Sequence, residues 1–400
     1  TRGDRWYPRF HIAAVAGWIN DPNGLCHYNG RYHVYFQHYP YGTDWGLMHW
    51  GHVSSADLIT WRREPIALAP SLPGDRDGVF SGSAVVTDAG ELAVYYTGHV
   101  WRNGVDFTEG IEQCQMLAVS NDGNHFDKKG VVIDAPDGIP QFRDPKVWRQ
   151  GDTWYLVVGV GTADLHGEVW LYRSDEMFAW EFDRVLYRSP LPGVFMLECR
   201  DFFPLGDAWV LLISPMGAGP DGCDRRDVHN VGYVVGNWRP GGDFEVLAEH
   251  TELDKGGNFY APQTFEAPDG RRLLLGWMGG APDQPMPSQA DGWCSQLTVM
   301  RELALTDDHT LTMWPIAELE ALRTDGHERG ALDLADDESR IIATDLTAGE
   351  IDIEIDLAAS TAERIGLAVH KTAGGDQTVV AYDVQTGRVV LDRYRSGAGQ

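Results

Sequence analysis

The sequence has 400 residues, 43% hydrophobic and 11% aromatic, with a formal net charge of −27. That is enough apolar chain for a large core, while the charge makes nucleic acid and anionic membrane surfaces poor partners and a small neutral molecule such as a sugar a better one. No run of about 18 apolar residues is present to cross a bilayer as a helix.

Thr1–Phe10 lacks the basic-then-apolar pattern of a secretory signal. It also begins without Met, so the natural start is expected upstream. The five cysteines are widely spaced and form no CxxC pair. Free thiols favour a reducing, cytoplasmic location; a secreted one is the alternative if a signal has been trimmed. A block then returns five times: an acidic or polar residue in a short apolar stretch, a turn, and a dense aromatic and β-branched run. Its leading residues are Asp21, Ser81, Asp144, Glu198 and Tyr260. Recurrence at intervals of about 60 residues in an all-β pattern suggests a five-bladed β-propeller, whose inner strands line one central funnel. Second strands are predicted at 28–39, 88–99, 149–160, 205–214 and 267–278, each with Gly in its turn. Third strands are expected in HWGHVSSADLITW, QCQMLAVSNDGNHF, GEVWLYRSDEMFAW and HNVGYVVGNW, with a fourth closing each blade. The fifth repeat ends near Trp314, giving a propeller domain over 1–314. Residues 315–326 read as a short helical linker, with Pro315 in its first turn and Ile316, Leu319 and Leu322 at helical spacing. Residues 327–400 alternate as strands over 341–360 and 363–394, the start of a C-terminal β-sandwich expected to be cut short at Gln400.

Three carboxylates among the repeat leaders point to chemistry. WINDPNG (18–24) is, as a bare string, a turn, but it opens the first repeat where an inner strand meets the funnel. QFRDP (141–145) opens the third. VFMLECRDFFPL (194–205) opens the fourth and sets Glu198 in an apolar run, where a carboxyl is costly unless paired or protonated. Cleaving a glycosidic bond with retention needs two carboxyl groups about 5–5.5 Å apart, one ionised and one protonated. Asp21, between Asn20 and Asn23, suits the nucleophile. Glu198, with Met196, Leu197 and Phe202 near it in sequence, suits the acid, its pKa expected to be raised. Asp144 is a third acid that can hold sugar hydroxyls.

WINDPNG, FSGSAV (80–85), FRDP (142–145), EC (198–199), GNFYAPQTF (257–265), GWM (276–278) and GWCSQLTVMREL (292–303) together resemble the motifs of glycoside hydrolase family 32, the invertases, inulinases and levanases. The resemblance runs in order over about residues 6–316. It implies a five-bladed propeller followed by a β-sandwich, and retaining hydrolysis of β-linked fructofuranosides such as sucrose without cofactor or metal. It implies Asp21 as nucleophile, Glu198 as acid/base and Asp144 as transition-state stabiliser. Asn20, Gln37, Trp45, Phe80, Ser81 and Arg143 would shape the fructose subsite; Tyr260 and His99 are further candidates for substrate contact. Asn258, Cys294 and Ser295 depart from the family pattern and bear on leaving-group preference. Sucrose 6-phosphate and longer fructans are alternative substrates; Arg225 and Arg226 are candidate phosphate readers, although a solvated loop pair explains them as well. A non-catalytic sugar-binding propeller and an inverting arabinosidase or xylosidase are the competing classes. Homo-oligomerisation is left open.

Overall fold

The computed structural model describes residues 4, 6–227, 229–279, 286–324, 330–343 and 350–397. The chain divides into two compact units, Thr1–Leu322 and Arg323–Gln400. The first is built of five antiparallel sheets in sequence order. Their inner strands are Gly17–Tyr28, Val79–Val86, Gln141–Gln150, Met196–Leu205 and Tyr260–Glu266. Each packs against the next, and the fifth returns to the first, which closes the ring. The second strands, at Arg31–Tyr39, Leu92–Trp101, Thr153–Gly161, Ala208–Met216 and Arg272–Met278, fall within or overlap the segments read from the turn signals.

Closure is reinforced by a late segment. Trp293–Cys294 pairs in parallel with Gly17 and Trp18, and Leu297 N donates to Ile12 O at 2.8 Å. Gly17 sits at φ +82, and a Cβ there would collide with Tyr39 O, so glycine is required for the first inner strand to start where it does. Between blades the core is aromatic. Trp148, Phe202, Trp209 and Trp238 meet with ring centroids 4.7–6.0 Å apart, locking the third sheet to the fourth.

Every inner strand carries the same defect near its start: two residues stand opposite one. They are Asn20 and Asp21, Phe80 and Ser81, Asp144 and Pro145, Cys199 and Arg200, and Ala261 and Pro262, the pairing being regular just before and just after each. Such a bulge bends the strand and re-aims side chains, and bulges concentrate beside functional sites. In blades three, four and five the first bulge residue is left-handed without being glycine: Asp144 at φ +64, Cys199 at +43 and Ala261 at +51. This costs roughly 1 kcal/mol or more each. The bulges also correct the register read from sequence. Asp21 and Ser81 are second bulge residues, Asp144 is a first, and Glu198 and Tyr260 come one residue earlier still. The five leaders share a zone, spread over three consecutive positions.

Two other expectations change. Within 315–326, Pro315 ends the last propeller strand, Leu311–Pro315, and the helical piece is a short 3₁₀ helix, Ala317–Leu322. Buried Ile316 and the Arg271–Glu318 ion pair anchor it to the fifth sheet, leaving too few residues for an α-helix; residues 325 and 326 lie outside those described. In the second unit 341–343 and 350–360 are irregular rather than strands, and 344–349 lie outside the described residues. The remaining segment forms the three-stranded meander Arg364–Val369, Gln377–Asp383 and Arg388–Arg395, which fits a β-sandwich.

Candidate active site

The bulges bring three carboxyls around one residue, Cys199. Its thiol donates to Asp21 Oδ2 at 3.2 Å, its backbone N–H donates to Asp144 Oδ2 at 2.8 Å, and it is peptide-bonded to Glu198. Asp21 is held by neutral donors. Ser81 Oγ donates to Oδ2 at 2.6 Å and Asn20 Nδ2 to Oδ1 at 3.0 Å. The Asn20 amide is itself oriented by Trp18 Nε1, 2.9 Å from its Oδ1. Glu198 is held differently. Arg143 Nε and Nη2 donate to Oε1 at 2.8 and 2.7 Å, and the Tyr260 hydroxyl donates to Oε2 at 2.6 Å. Asp144 is fixed through its backbone as well, its N–H donating to Thr97 Oγ1 at 2.7 Å. Sequence positions 20–21, 81, 143–144, 198 and 260 thus meet at one place.

Ionisation follows from these partners. Burial pushes Asp21 up to about 6, against the Ser81 hydrogen bond and with help from the negative charge of Asp144. Burial also acts to raise Glu198, but the Arg143 cation and the Tyr260 hydroxyl outweigh it and hold the carboxyl below its ordinary value. This reverses the expectation drawn from the apolar run. Alternate residues of a strand face opposite ways, so Leu197 does not wall the Glu198 carboxyl. A charged partner from the neighbouring blade does. Asp144 is raised by burial, opposed by Arg200 and then Arg143. Burial and the nearby carboxylates push the Cys199 thiol and the Tyr260 phenol far up, so both remain proton donors.

Of the other predicted residues, Trp45 is about one-third exposed and meets Phe80 edge-on at 5.8 Å. Gln37 lies opposite the first bulge and donates its amide to Val79 O at 3.0 Å, tying blade one to blade two. His99 is the exception. Its ring is fully buried, stacked 4.1 Å behind Phe80, and burial lowers its pKa to about 3, leaving it neutral. It supports Phe80 and has no surface with which to touch a sugar. Sequence reasoning missed Thr97, whose signal is its place opposite the second bulge, equivalent to Gln37. It also missed His229, whose ring lies 4.8 Å from that of Tyr260 and whose charge helps lower Glu198. Arg225 and Arg226 do not stand free as phosphate readers: Arg225 donates to Gly219 O and Asp221, Arg226 to Gly222 O.

Residues 11–315 match the N-terminal domain model of glycosyl hydrolases family 32, and residues 318–400 match the C-terminal model of that family. The chain belongs to glycosyl hydrolase family 32. A sucrose-6-phosphate hydrolase of Escherichia coli is 44% identical over 98% of this chain and 80% of its own length. A raffinose invertase of Escherichia coli is 40% identical over the same shares. Among solved structures, a β-fructofuranosidase of Bombyx mori superposes with a TM-score of 0.84 at 35% identity, covering 98% of this chain and 81% of that one. As a family 32 member, the protein is a glycosyl hydrolase with a five-bladed propeller followed by a β-sandwich. Among its described residues no helix is long and apolar enough to cross a membrane.

Proposed function

We propose that this protein is a retaining β-fructofuranosidase that hydrolyses sucrose, and short fructo-oligosaccharides, through a covalent fructosyl-enzyme. The observation carrying this reading is the Cys199-centred cluster, in which one carboxylate is cradled by neutral donors and another is gripped by a cation and a phenol. Asp21, with donors on both oxygens, is set in place as an ionised nucleophile above about pH 6. It attacks the anomeric carbon. Glu198 delivers a proton to the departing glycosidic oxygen, so one sugar leaves as an alcohol and the fructosyl ester with Asp21 remains. Glu198 then takes a proton from water, whose oxygen attacks the same carbon and frees Asp21. Arg143 holds Glu198 ionised before substrate arrives, so in the acid role Glu198 must first take up a proton from water as substrate covers the site. Asp144 accepts fructosyl hydroxyls, and its hydrogen bonds tighten as positive charge develops.

Sucrose is favoured over sucrose 6-phosphate. Arg143 is engaged by Glu198, and Arg225 and Arg226 by their own loop, so the site offers carboxylates and neutral donors, which suit an uncharged sugar. Five free cysteines, four of them buried, fit a reducing cytoplasm. The test is glucose release with kcat/KM measured side by side for sucrose, sucrose 6-phosphate, kestose and inulin, together with the anomer of the first fructose released. Sucrose leading, with β-fructose first, is expected. An inverted first product would overturn the mechanism, and preference for the phosphorylated sugar would overturn the substrate.

A further inference from the structure

We infer that Arg200 is a positioning residue for this centre: its guanidinium, buried beneath the site, pins the third-blade bulge that carries Asp144. This rests on the site reading above.

Arg200 is the second bulge residue of blade four. The same place is Pro145 in blade three and Pro262 in blade five. The backbone there needs neither a particular side chain nor an N–H, so the propeller itself does not call for arginine. Yet the side chain is fully buried, one of the largest in the molecule to be so. Burying a cation costs several kcal/mol unless its surroundings offset it. The guanidinium is directed at main-chain carbonyls of one short segment. Nη1 and Nη2 donate to Arg143 O at 2.8 and 2.6 Å, and Nη2 also donates to Asp144 O. Those two carbonyls flank the left-handed residue at φ +64. Arg143 is the partner of Glu198, and Asp144 is the third acid. One guanidinium therefore holds the backbone under both.

Two neighbours point the same way. Cys199, the residue before it, grips the Asp144 carboxyl through its own N–H, so consecutive residues of blade four hold Asp144 by side chain and by main chain. Gly159, paired with Arg143 on the adjacent strand, does not adopt the left-handed conformation that favours glycine, yet a Cβ there would collide with Arg200 Nη1 and Leu197 O. Blade three has given up a side chain to let the guanidinium through. Electrostatics agrees: after burial, Arg200 is the strongest influence on Asp144 and favours its ionised form, while desolvation lowers Arg200 itself only to about 10, leaving it charged at neutral pH.

Asp144 does most for the transition state, so loosening it should lower kcat more than it raises KM. In Arg200→Met, kcat for sucrose is expected to fall by about tenfold to a hundredfold with KM changed by less than about threefold. The acid limb of the pH profile of kcat/KM is expected to move to higher pH, because the lost cation had favoured ionised Asp144. Arg200→Lys should restore the limb while recovering only part of kcat. Arg200→Pro, a residue two sister blades already accept, should resemble Arg200→Met. A folded Arg200→Met or Arg200→Pro enzyme with wild-type kcat and an unmoved pH profile overturns the inference. So does a set of variants whose Tm falls while both readouts stay put. If Arg200→Met does not fold, Arg200→Lys is decisive: positioning predicts reduced kcat with the limb in place, and unchanged kcat refutes it. Asp144→Asn measured alongside separates the two claims. If it cripples turnover while the Arg200 variants do not, only the role of Arg200 fails; if it is harmless, the site reading itself fails.

Discussion

Blade one presents its carboxylate to neutral donors; blade four presents its own to a cation. Asp21 is held by an amide, a hydroxyl and a thiol, and burial lifts its pKa to about 6. Glu198 lies against Arg143 and is pulled below its ordinary value, although both acids sit beside the same kind of bulge. The backbone defect supplies position, and the partner crossing from the neighbouring blade supplies charge state. Equivalent placement in a pseudo-symmetric ring therefore does not give equivalent chemistry.

The largest effects break this contrast at its two poles. Asp21→Asn and Glu198→Gln should each lower kcat on sucrose by at least about a thousandfold while leaving the fold intact. They should part on an aryl fructoside with an acidic leaving group. There the first step no longer needs proton delivery, so Glu198→Gln is expected to show a rapid burst of phenol release, and Asp21→Asn none. Equal behaviour of the two on that substrate would refute the division of roles. Next in size is Arg143→Met, expected to lower kcat by about a hundredfold. It should also raise the pKa of Glu198, moving the basic limb of the pH profile upward, because the cation that favoured the charged form is gone. An unmoved basic limb would show that Arg143 does not govern Glu198.

A third effect concerns stability. The Asp21 pKa is raised on folding, so its neutral form favours the native state below about pH 4, and that benefit is lost as pH rises through about 6. Asp21→Asn should thus be more stable than the parent at pH 7 and no more stable at pH 4. The full shift would correspond to about 3 kcal/mol, and since Asp21 is only partly covered, a gain of about 1–2 kcal/mol is expected. Denaturant unfolding at the two pH values checks this; a variant less stable at pH 7 contradicts it. The smallest effect is that of Ser81→Ala. Removing one neutral donor should raise the Asp21 pKa slightly, shifting the acid limb of kcat/KM to higher pH by less than about one unit, with kcat down about tenfold or less.

Much of the fold was legible because turns with glycine and alternating apolar strands repeat at a nearly constant interval. The acids were legible because WINDPNG, FRDP and EC sit where inner strands begin. What the sequence hid was relational. Bulge register moves Glu198 and Tyr260 one position away from Asp144, and no local pattern marks a two-against-one pairing. The ion pair of Arg143 with Glu198 joins residues far apart in sequence, so the apolar neighbours of Glu198 misled about its charge. His99 read as a candidate substrate contact because it lies near an inner strand, but it is fully buried and stacked against Phe80. Nothing in the LECRD string marks Arg200, because its bonds reach the backbone of another blade.

The most direct test is to quench Glu198→Gln during turnover of the aryl fructoside and locate the trapped sugar by peptide mass spectrometry. A fructosyl ester on Asp21 is the predicted result. The same label on Asp144, or steady turnover with an inverted product and no label, would contradict the account.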